Sequence, residues 1–160
     1  MRESLAQALE LADAGATEAL GKQLARLLPA DPAGWTILLE GDLGAGKSTL
    51  ARAMLREFGH AGPVPSPTYT LVEPYQFAGF VVYHVDLYRI VDTEELEFLG
   101  WPELREGLLL VEWPERVKGL AEQADICIRL DIDGDGRIAA ITGLSPRGVE
   151  LASAITADQV

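Results

Sequence analysis

The chain has 160 residues, of which 48% are hydrophobic, and a formal net charge of −12. A chain of this length buries about 70% of its unfolded surface in one core, so we predict a single domain over residues 1–160. Lysine occurs only at Lys22, Lys47 and Lys118. Binding along a nucleic-acid backbone depends on clustered Lys and Arg, and this composition argues against it.

The chain contains a single cysteine, Cys127, so no intramolecular disulfide can form, as is usual in a reducing compartment. No apolar run approaches the ~20 residues that span a bilayer. The N-terminal segment lacks the uninterrupted apolar stretch of a signal peptide, because Glu10 and Asp13 interrupt it. We expect a cytoplasmic protein that does not contact membranes.

Apolar residues recur at helical spacing from Ser4 to Leu28. We predict a break at 14–16, with Thr17 as the cap of a second helix. A buried strand is predicted over 35–40, and the apolar spacing after it indicates a helix over 47–58 that Gly59 closes. The later predicted elements are a loop over 61–67, strands over 68–75 and 80–89 joined by a hairpin turn at Gly79, a short acidic helix over 93–99, a strand over 107–112, a helix over 114–120, strands over 125–132 and 137–142, and a helix over 146–155.

Strands interleaved with helices predict an α/β layered fold with a mainly parallel central sheet flanked by helices. The last two strands, joined by residues 133–136, predict one antiparallel ribbon on the C-terminal side. Residues 131–136 also match the first half of a calcium-binding loop, D-x-D-x-D-G. The twelfth position of that loop, which should be a bidentate glutamate, is Thr142, so we interpret the segment as a hairpin turn.

The strand over 35–40 runs directly into a glycine-rich phosphate-binding loop, and a helix follows it. Glycines let successive amide N–H groups turn inward and let the backbone approach a phosphate closely. The lysine supplies a mobile positive charge, the serine a hydroxyl for magnesium, and the helix its positive end. The fold is therefore predicted to be P-loop NTPase-like, with the loop formed by Gly41, Asp42, Leu43, Gly44, Ala45, Gly46, Lys47 and Ser48.

Two apolar strands each end in a carboxylate residue. In phosphoryl-transfer sites, acids at such positions hold magnesium or orient a water. Glu112 ends the run at 108–111 and Asp86 the run at 81–85. The alternation of a strand places His84, Asp86 and Tyr88 on one face. Structural alternatives stay open: Glu112 could cap the next helix and Asp86 could pair with an arginine.

Several other residues have both a structural and a functional interpretation. His84 is more typical of a packed, hydrogen-bonded strand histidine than of a catalyst. Trp101 and Trp113 are more typical of packing than of ligand contacts. The hydroxyl-rich segment 66–70 lies where P-loop proteins sense the γ-phosphate, but the same hydroxyls could satisfy the backbone at the start of a strand.

Four sequence blocks, taken together, resemble the bacterial TsaE family, the small ATPases of tRNA threonylcarbamoyladenosine (t6A) biosynthesis. The resemblance extends from about Thr17 to Gly148, and its blocks follow the family's order. The blocks are GDLGAGKST at 41–49, SPTYTLV at 66–72, HVDLYR at 84–89 and VEWPE at 111–115. The family commonly has threonine where this chain has Ser48, and both residues offer the hydroxyl.

The resemblance implies an enzyme that hydrolyses ATP to ADP with Mg²⁺ and acts with two partners: the threonylcarbamoyl-transferase subunit (TsaD-like) and its non-catalytic relative (TsaB-like). The tRNA would be carried by a partner. Lys47 would hold the phosphates, Ser48 and Glu112 would serve the metal, and Asp86 would be the essential acid. The resemblance further places nucleotide-pocket residues at Thr17, Thr49, Trp113 and Arg137.

Competing functions share the phosphate loop. A small-molecule kinase would need an arginine-bearing lid, and the arginines of this chain are scattered. A regulatory GTPase recognises guanine through an N-K-x-D motif. The chain contains no asparagine, so the motif cannot be present and this class is excluded. An assembly factor that binds nucleotide without hydrolysing it is the nearest alternative.

Overall fold

The computed structural model describes residues 6–68 and 70–160. Its strands and helices alternate for most of the chain, as predicted for an α/β fold. The strands are β1 (Ala6–Leu11), β2 (Thr36–Glu40), β3 (Val72–Phe77), β4 (Phe80–Asp86), β5 (Leu108–Glu112), β6 (Ile126–Asp133) and β7 (Gly136–Gly143). The helices are α1 (Ala14–Leu27), α2 (Lys47–Phe58), α3 (Glu95–Phe98), α4 (Trp101–Leu104) and α5 (Pro146–Ala154).

The seven strands form one sheet in the order β1-β7-β6-β2-β5-β4-β3. The four central strands, β6, β2, β5 and β4, are mutually parallel. The predicted C-terminal antiparallel ribbon is confirmed by β6 and β7, whose register ends at Asp133 and Gly136. The prediction of a mainly parallel sheet holds for the four central strands only. The hairpin predicted at Gly79 is confirmed, because β3 and β4 pair antiparallel. Antiparallel pairing is more extensive than predicted at the other edge, where β1 adds to β7.

The sheet separates two apolar layers. Helices α1, α2 and α5 pack on one face, where Leu24, Leu50 and Leu151 join the core. The other face is covered by α3, α4 and the segments that follow β5, through Leu96, Leu104 and Leu120. Residues alternate between the two layers along β5: Leu108 and Leu110 belong to the first layer, and Leu109 and Val111 to the second. A strand covered on both faces is apolar at nearly every position.

The helix predicted from Ser4 is wrong over residues 6–11, where the chain forms β1; Ser4 itself lies outside the described residues. Leu9 and Leu11 are buried and Glu10 is exposed, so the segment has the alternation of a strand. Alanine, leucine and glutamate favour helix locally, but pairing with β7 overrides that preference. Thr17 is not a helix cap, because α1 begins earlier and Asp13 caps it by accepting a hydrogen bond from the N–H of Ala16 at 2.9 Å.

Smaller corrections concern element boundaries. Strand β3 begins at Val72 instead of residue 68, and β4 ends at Asp86 instead of residue 89. The helix predicted over 114–120 is instead two 3₁₀ turns, Pro114–Arg116 and Leu120–Gln123. The residue before the first turn, Trp113, has a positive φ of 57°, which interrupts regular structure at this point. Within the described residues, no helix is long and apolar enough to cross a membrane.

Candidate nucleotide site

The phosphate loop connects the carboxyl end of β2 to the first residue of α2. Gly41 has φ +145°, and a Cβ there would lie 2.6 Å from the carbonyl oxygen of Leu130. Gly46 has a left-handed conformation with φ 110° immediately before the helix. Both positions need glycine, the first for space and the second for backbone conformation. The loop therefore brings bare backbone to the end of α2, whose first N–H groups have no partner within the helix.

Lys47 is the first residue of α2, and its side chain folds back over the loop. Its Nζ donates a hydrogen bond to the carbonyl oxygen of Gly41 and lies 3.8 Å from the centre of the Trp113 ring. Burial lowers the pKa of Lys47, and the nearby carboxylates, Glu112 foremost, oppose that shift. The ammonium is thus a buried cation whose partners among the described residues are one carbonyl oxygen and one ring face, both of which an anion could replace.

Asp86 and Glu112 lie side by side, because β4 and β5 pair in parallel with these two residues in register. Each is 4% exposed. Asp86 accepts a hydrogen bond from the N–H of Tyr88 at 2.8 Å and a long one from the Thr68 hydroxyl at 3.4 Å. One oxygen of Glu112 lies 2.5 Å from Nε2 of His84. The arginine partner considered for Asp86 is not among its contacts in the described chain.

These groups face a cavity of about 420 Å³. Hydroxyls of Ser66 and Thr68 line it and contact each other at 2.7 Å, so this loop belongs to the site and is not the start of a strand. Tyr69, within the same motif, lies outside the described residues. The lining residues are Leu43, Gly44, Gly46, Lys47, Ser48, Thr49, Ser66, Thr68, Asp86, Tyr88, Glu112 and Trp113.

Thr17 and Arg137 do not line that cavity. They line a second one of about 200 Å³, which also borders Gly44, Ala45 and Gly46. Arg137, on β7, donates hydrogen bonds from Nε to the carbonyl oxygen of Ala45 and from Nη2 to that of Gly44, both at 3.0 Å. The phosphate loop therefore lies between two cavities, and Arg137 holds its backbone from the second.

Trp113 lines the large cavity and does more than pack. Its ring lies against that of Tyr88, with centroids 4.9 Å apart, and Arg116 lies 5.0 Å from the centre of the Tyr88 ring. Trp101, in contrast, is buried in the core away from the cavity, as its packing interpretation predicted. The positive φ of Trp113 directs the chain away from the sheet right after Glu112.

Two site features were not identified from the sequence. His84 is hydrogen-bonded and buried, as predicted for a strand histidine, but its partner is a site acid. Tyr88 lies beyond the end of β4 and yet lines the cavity. The i, i+2 and i+4 spacing of His84, Asp86 and Tyr88 was the available signal, and it gave a shared face without showing which neighbour His84 would meet.

A strand, a glycine loop and a helix N-terminus, with acids at the ends of two neighbouring parallel strands, define a protein of the P-loop class. The family model for the threonylcarbamoyl adenosine biosynthesis protein TsaE matches residues 11–139. This chain belongs to the TsaE family.

Individual relatives agree with the family match. The tRNA threonylcarbamoyladenosine biosynthesis protein TsaE of Haemophilus influenzae is 45% identical over 122 residues, which are 75% of this chain and 77% of that protein. The protein of the same name from Synechocystis is 43% identical over 120 residues, 71% of this chain and 73% of its own. The crystal structure of Bacillus subtilis YdiB superposes with a TM-score of 0.70 at 25% identity, covering 96% of this chain and 94% of the other.

Proposed function

We propose that this chain is a Mg²⁺-dependent ATPase that supports formation of the threonylcarbamoyl group on adenosine 37 of tRNA. Its family membership gives it a role in t6A biosynthesis. The observation that supports hydrolysis is the convergence of Lys47, Ser48, Asp86 and Glu112 on one cavity. A cation at the start of a helix and two buried acids suit a triphosphate, which needs charge neutralisation and an oriented water.

The residues present fit a magnesium nucleotide. A Cβ on Gly44 would meet nothing within 4 Å, so the loop backbone is open to a ligand there. The serine hydroxyl and carboxylates are the hard oxygen donors that Mg²⁺ prefers, and Ser48 with Glu112 would hold it. When bound, the metal would neutralise charge on phosphate oxygens.

The chain's own groups would divide the remaining work. Lys47 would exchange its contacts with Trp113 and Gly41 for phosphate oxygens, gaining charge-assisted hydrogen bonds. Asp86, with its loosely held Oδ2, would orient the attacking water or report the nucleotide state through Thr68. Arg137 would keep the loop carbonyls turned away from the phosphates, so that the N–H groups face them.

The partners of the proposed activity are the threonylcarbamoyl-transferase subunit and its non-catalytic relative. The net charge of −12 supports indirect contact with tRNA, and the absence of asparagine from the sequence supports ATP over GTP. We expect slow hydrolysis by the isolated chain and faster hydrolysis with both partners. Phosphate release from ATP and Mg²⁺ should be measured for the chain alone, with each partner and with both.

Equal rates with and without the partners would contradict stimulation. Tight Mg²⁺-ATP binding without phosphate release, in every combination, would favour the assembly-factor alternative. Transfer of phosphate to a small molecule would favour a kinase. Lys22→Ala is a matched control for Lys47→Ala, because Lys22 is exposed on α1.

A further inference from the structure

His84 occupies a buried position between the two acidic strand ends. It lies two residues before Asp86 on β4 and is 1% exposed. In the β4–β5 register His84 is opposite Leu110, one pleat before the pair formed by Asp86 and Glu112. Its ring therefore reaches Glu112 diagonally across the two strands, a distance that long side chains can span.

The contacts of the ring define its protonation pattern. Nε2 lies 2.5 Å from Oε2 of Glu112, while Nδ1 is buried without a hydrogen-bond partner in the described chain. A proton on Nδ1 would be an orphaned buried N–H, which folded proteins rarely contain. With the proton on Nε2, the ring donates to a carboxylate, which is the stronger kind of hydrogen bond. The Nε2–H tautomer satisfies the donor and leaves only a lone pair of Nδ1 unmatched.

We propose that His84 is a positioning residue that holds Glu112 for the metal or the water of the site. Its Nε2–H fixes one carboxylate oxygen of Glu112 and leaves the other for the cavity that Glu112 lines. Such outer partners orient the groups that contact a metal, and their loss typically weakens metal affinity by about 10- to 100-fold. This inference rests on the proposed function, since it assigns Glu112 the role given there.

The first test is the tautomer. The chain contains two histidines, so protein labelled with ¹⁵N-histidine gives two ring patterns, and His60→Gln assigns them. We expect the His84 ring to carry a proton on Nε2, the nitrogen that faces Glu112. A ring that carries its proton on Nδ1 alone would overturn the inference, because Nε2 could then donate nothing to Glu112. This measurement needs neither a nucleotide nor a partner.

The second test compares His84→Gln with His84→Asn. The amide nitrogen of glutamine is as many bonds from Cα as Nε2 of histidine and can donate to Glu112, whereas that of asparagine is one bond short. The readout is the gain in ADP affinity caused by Mg²⁺, measured by calorimetry with and without EDTA. We expect the gain to fall about 10-fold in His84→Asn and to be retained in His84→Gln.

An equal Mg²⁺-linked gain in the wild type and both variants would overturn the inference, as would equal loss in both variants. In a Glu112→Gln background, His84→Asn should have no further effect on that gain. A wild-type chain that binds Mg²⁺-ADP but never hydrolyses ATP would contradict the proposed hydrolysis alone, because these tests measure affinity and proton position instead of turnover.

Discussion

At the amino end of the parallel strands Asp125 is saturated with hydrogen bonds, whereas at their carboxyl end Asp86 and Glu112 keep acceptor capacity for a cavity. Oδ1 of Asp125 accepts from Ser145 Oγ and Arg147 Nε, each at 2.8 Å. Its Oδ2 accepts from the N–H of Thr36 at 2.9 Å and from Arg147 Nη2 at 3.1 Å. Among the described residues, the second oxygen of Asp86 has only the 3.4 Å contact from Thr68.

The two ends show what separates a structural carboxylate from one available for chemistry. Burying an ionised carboxylate is costly unless its oxygens are paired, and the amino end meets that requirement with a nearby arginine. At the carboxyl end Lys47 lies near the acids, but its ammonium contacts the carbonyl oxygen of Gly41 and the ring of Trp113. Acids left short of donors in this way can accept a cation or a water.

The largest expected effect is the loss of ATP hydrolysis when residues at the carboxyl end of the parallel strands are replaced. Replacing Lys47, Asp86 or Glu112 singly with alanine should reduce the proposed ATP hydrolysis about 100-fold or more, because each substitution removes a group that we propose acts on the transition state. In cells that depend on the variant, t6A in tRNA should fall to background, as mass spectrometry of tRNA digests can measure. Glu150→Ala, an exposed acid on α5, is the control. Unchanged t6A in the three variants would contradict the assignment.

Asp125→Ala, at the amino end, should show the opposite pattern: the protein should be less stable to unfolding, while the folded molecules should still hydrolyse ATP. It leaves the buried N–H of Thr36 unsatisfied and Arg147 without its carboxylate, so we expect a loss of about 3 kcal/mol in the free energy of unfolding. Urea denaturation measures this. At temperatures where the variant stays folded, its ATP hydrolysis per folded molecule should match that of the wild type. A stable but inactive variant would break the comparison.

The two arginines that hold backbone carbonyls allow a milder test. Arg137→Ala releases the carbonyl oxygens of Gly44 and Ala45 and should weaken ATP binding about 10-fold, or about 1.4 kcal/mol, with little change in stability. Titration calorimetry measures the affinity. If Arg137→Ala unfolds the protein instead, its role is structural.

The smallest effect is expected for Arg147→Ala. Its guanidinium donates to Gly34 and Asp125 and stacks on Trp35, but the side chain is 47% exposed. Solvent screening reduces the value of such a pair, so we expect about 1 kcal/mol less stability and no change in ATP affinity. Thermal unfolding with and without nucleotide separates the two quantities.

Local patterns predicted one end of this molecule and missed the other. The phosphate loop, the bounds of α2 and the shared face of His84 and Asp86 follow from spacing within a few residues, and the structure has them as predicted. The network around Asp125 joins Thr36, 89 residues earlier in the chain, to Ser145 and Arg147, 20 and 22 residues later. No local spacing encodes such a contact.

The same reason explains the error at β1 and the incomplete interpretation of His84. The strand pairs with β7 at Leu11 and Arg137, and only that distant partner outweighs the helix preference of its residues. The histidine was correctly interpreted as packed, but its contact with Glu112 depends on the β4–β5 register, which sequence periodicity does not specify.

The pairing of β1 with β7 also sets where this protein can be cut or tagged. Arg137 lies opposite Leu11 on that ladder, so the strand that holds the phosphate loop is backed by the first described residues of the chain. A fragment trimmed to residues 11–139 would lose most of β1, half of β7 and both side-chain partners of Asp125 on the C-terminal side. The strand pair that carries Arg137 would be incomplete in that fragment. Its nucleotide affinity would therefore differ from that of the whole chain, even with every loop residue intact.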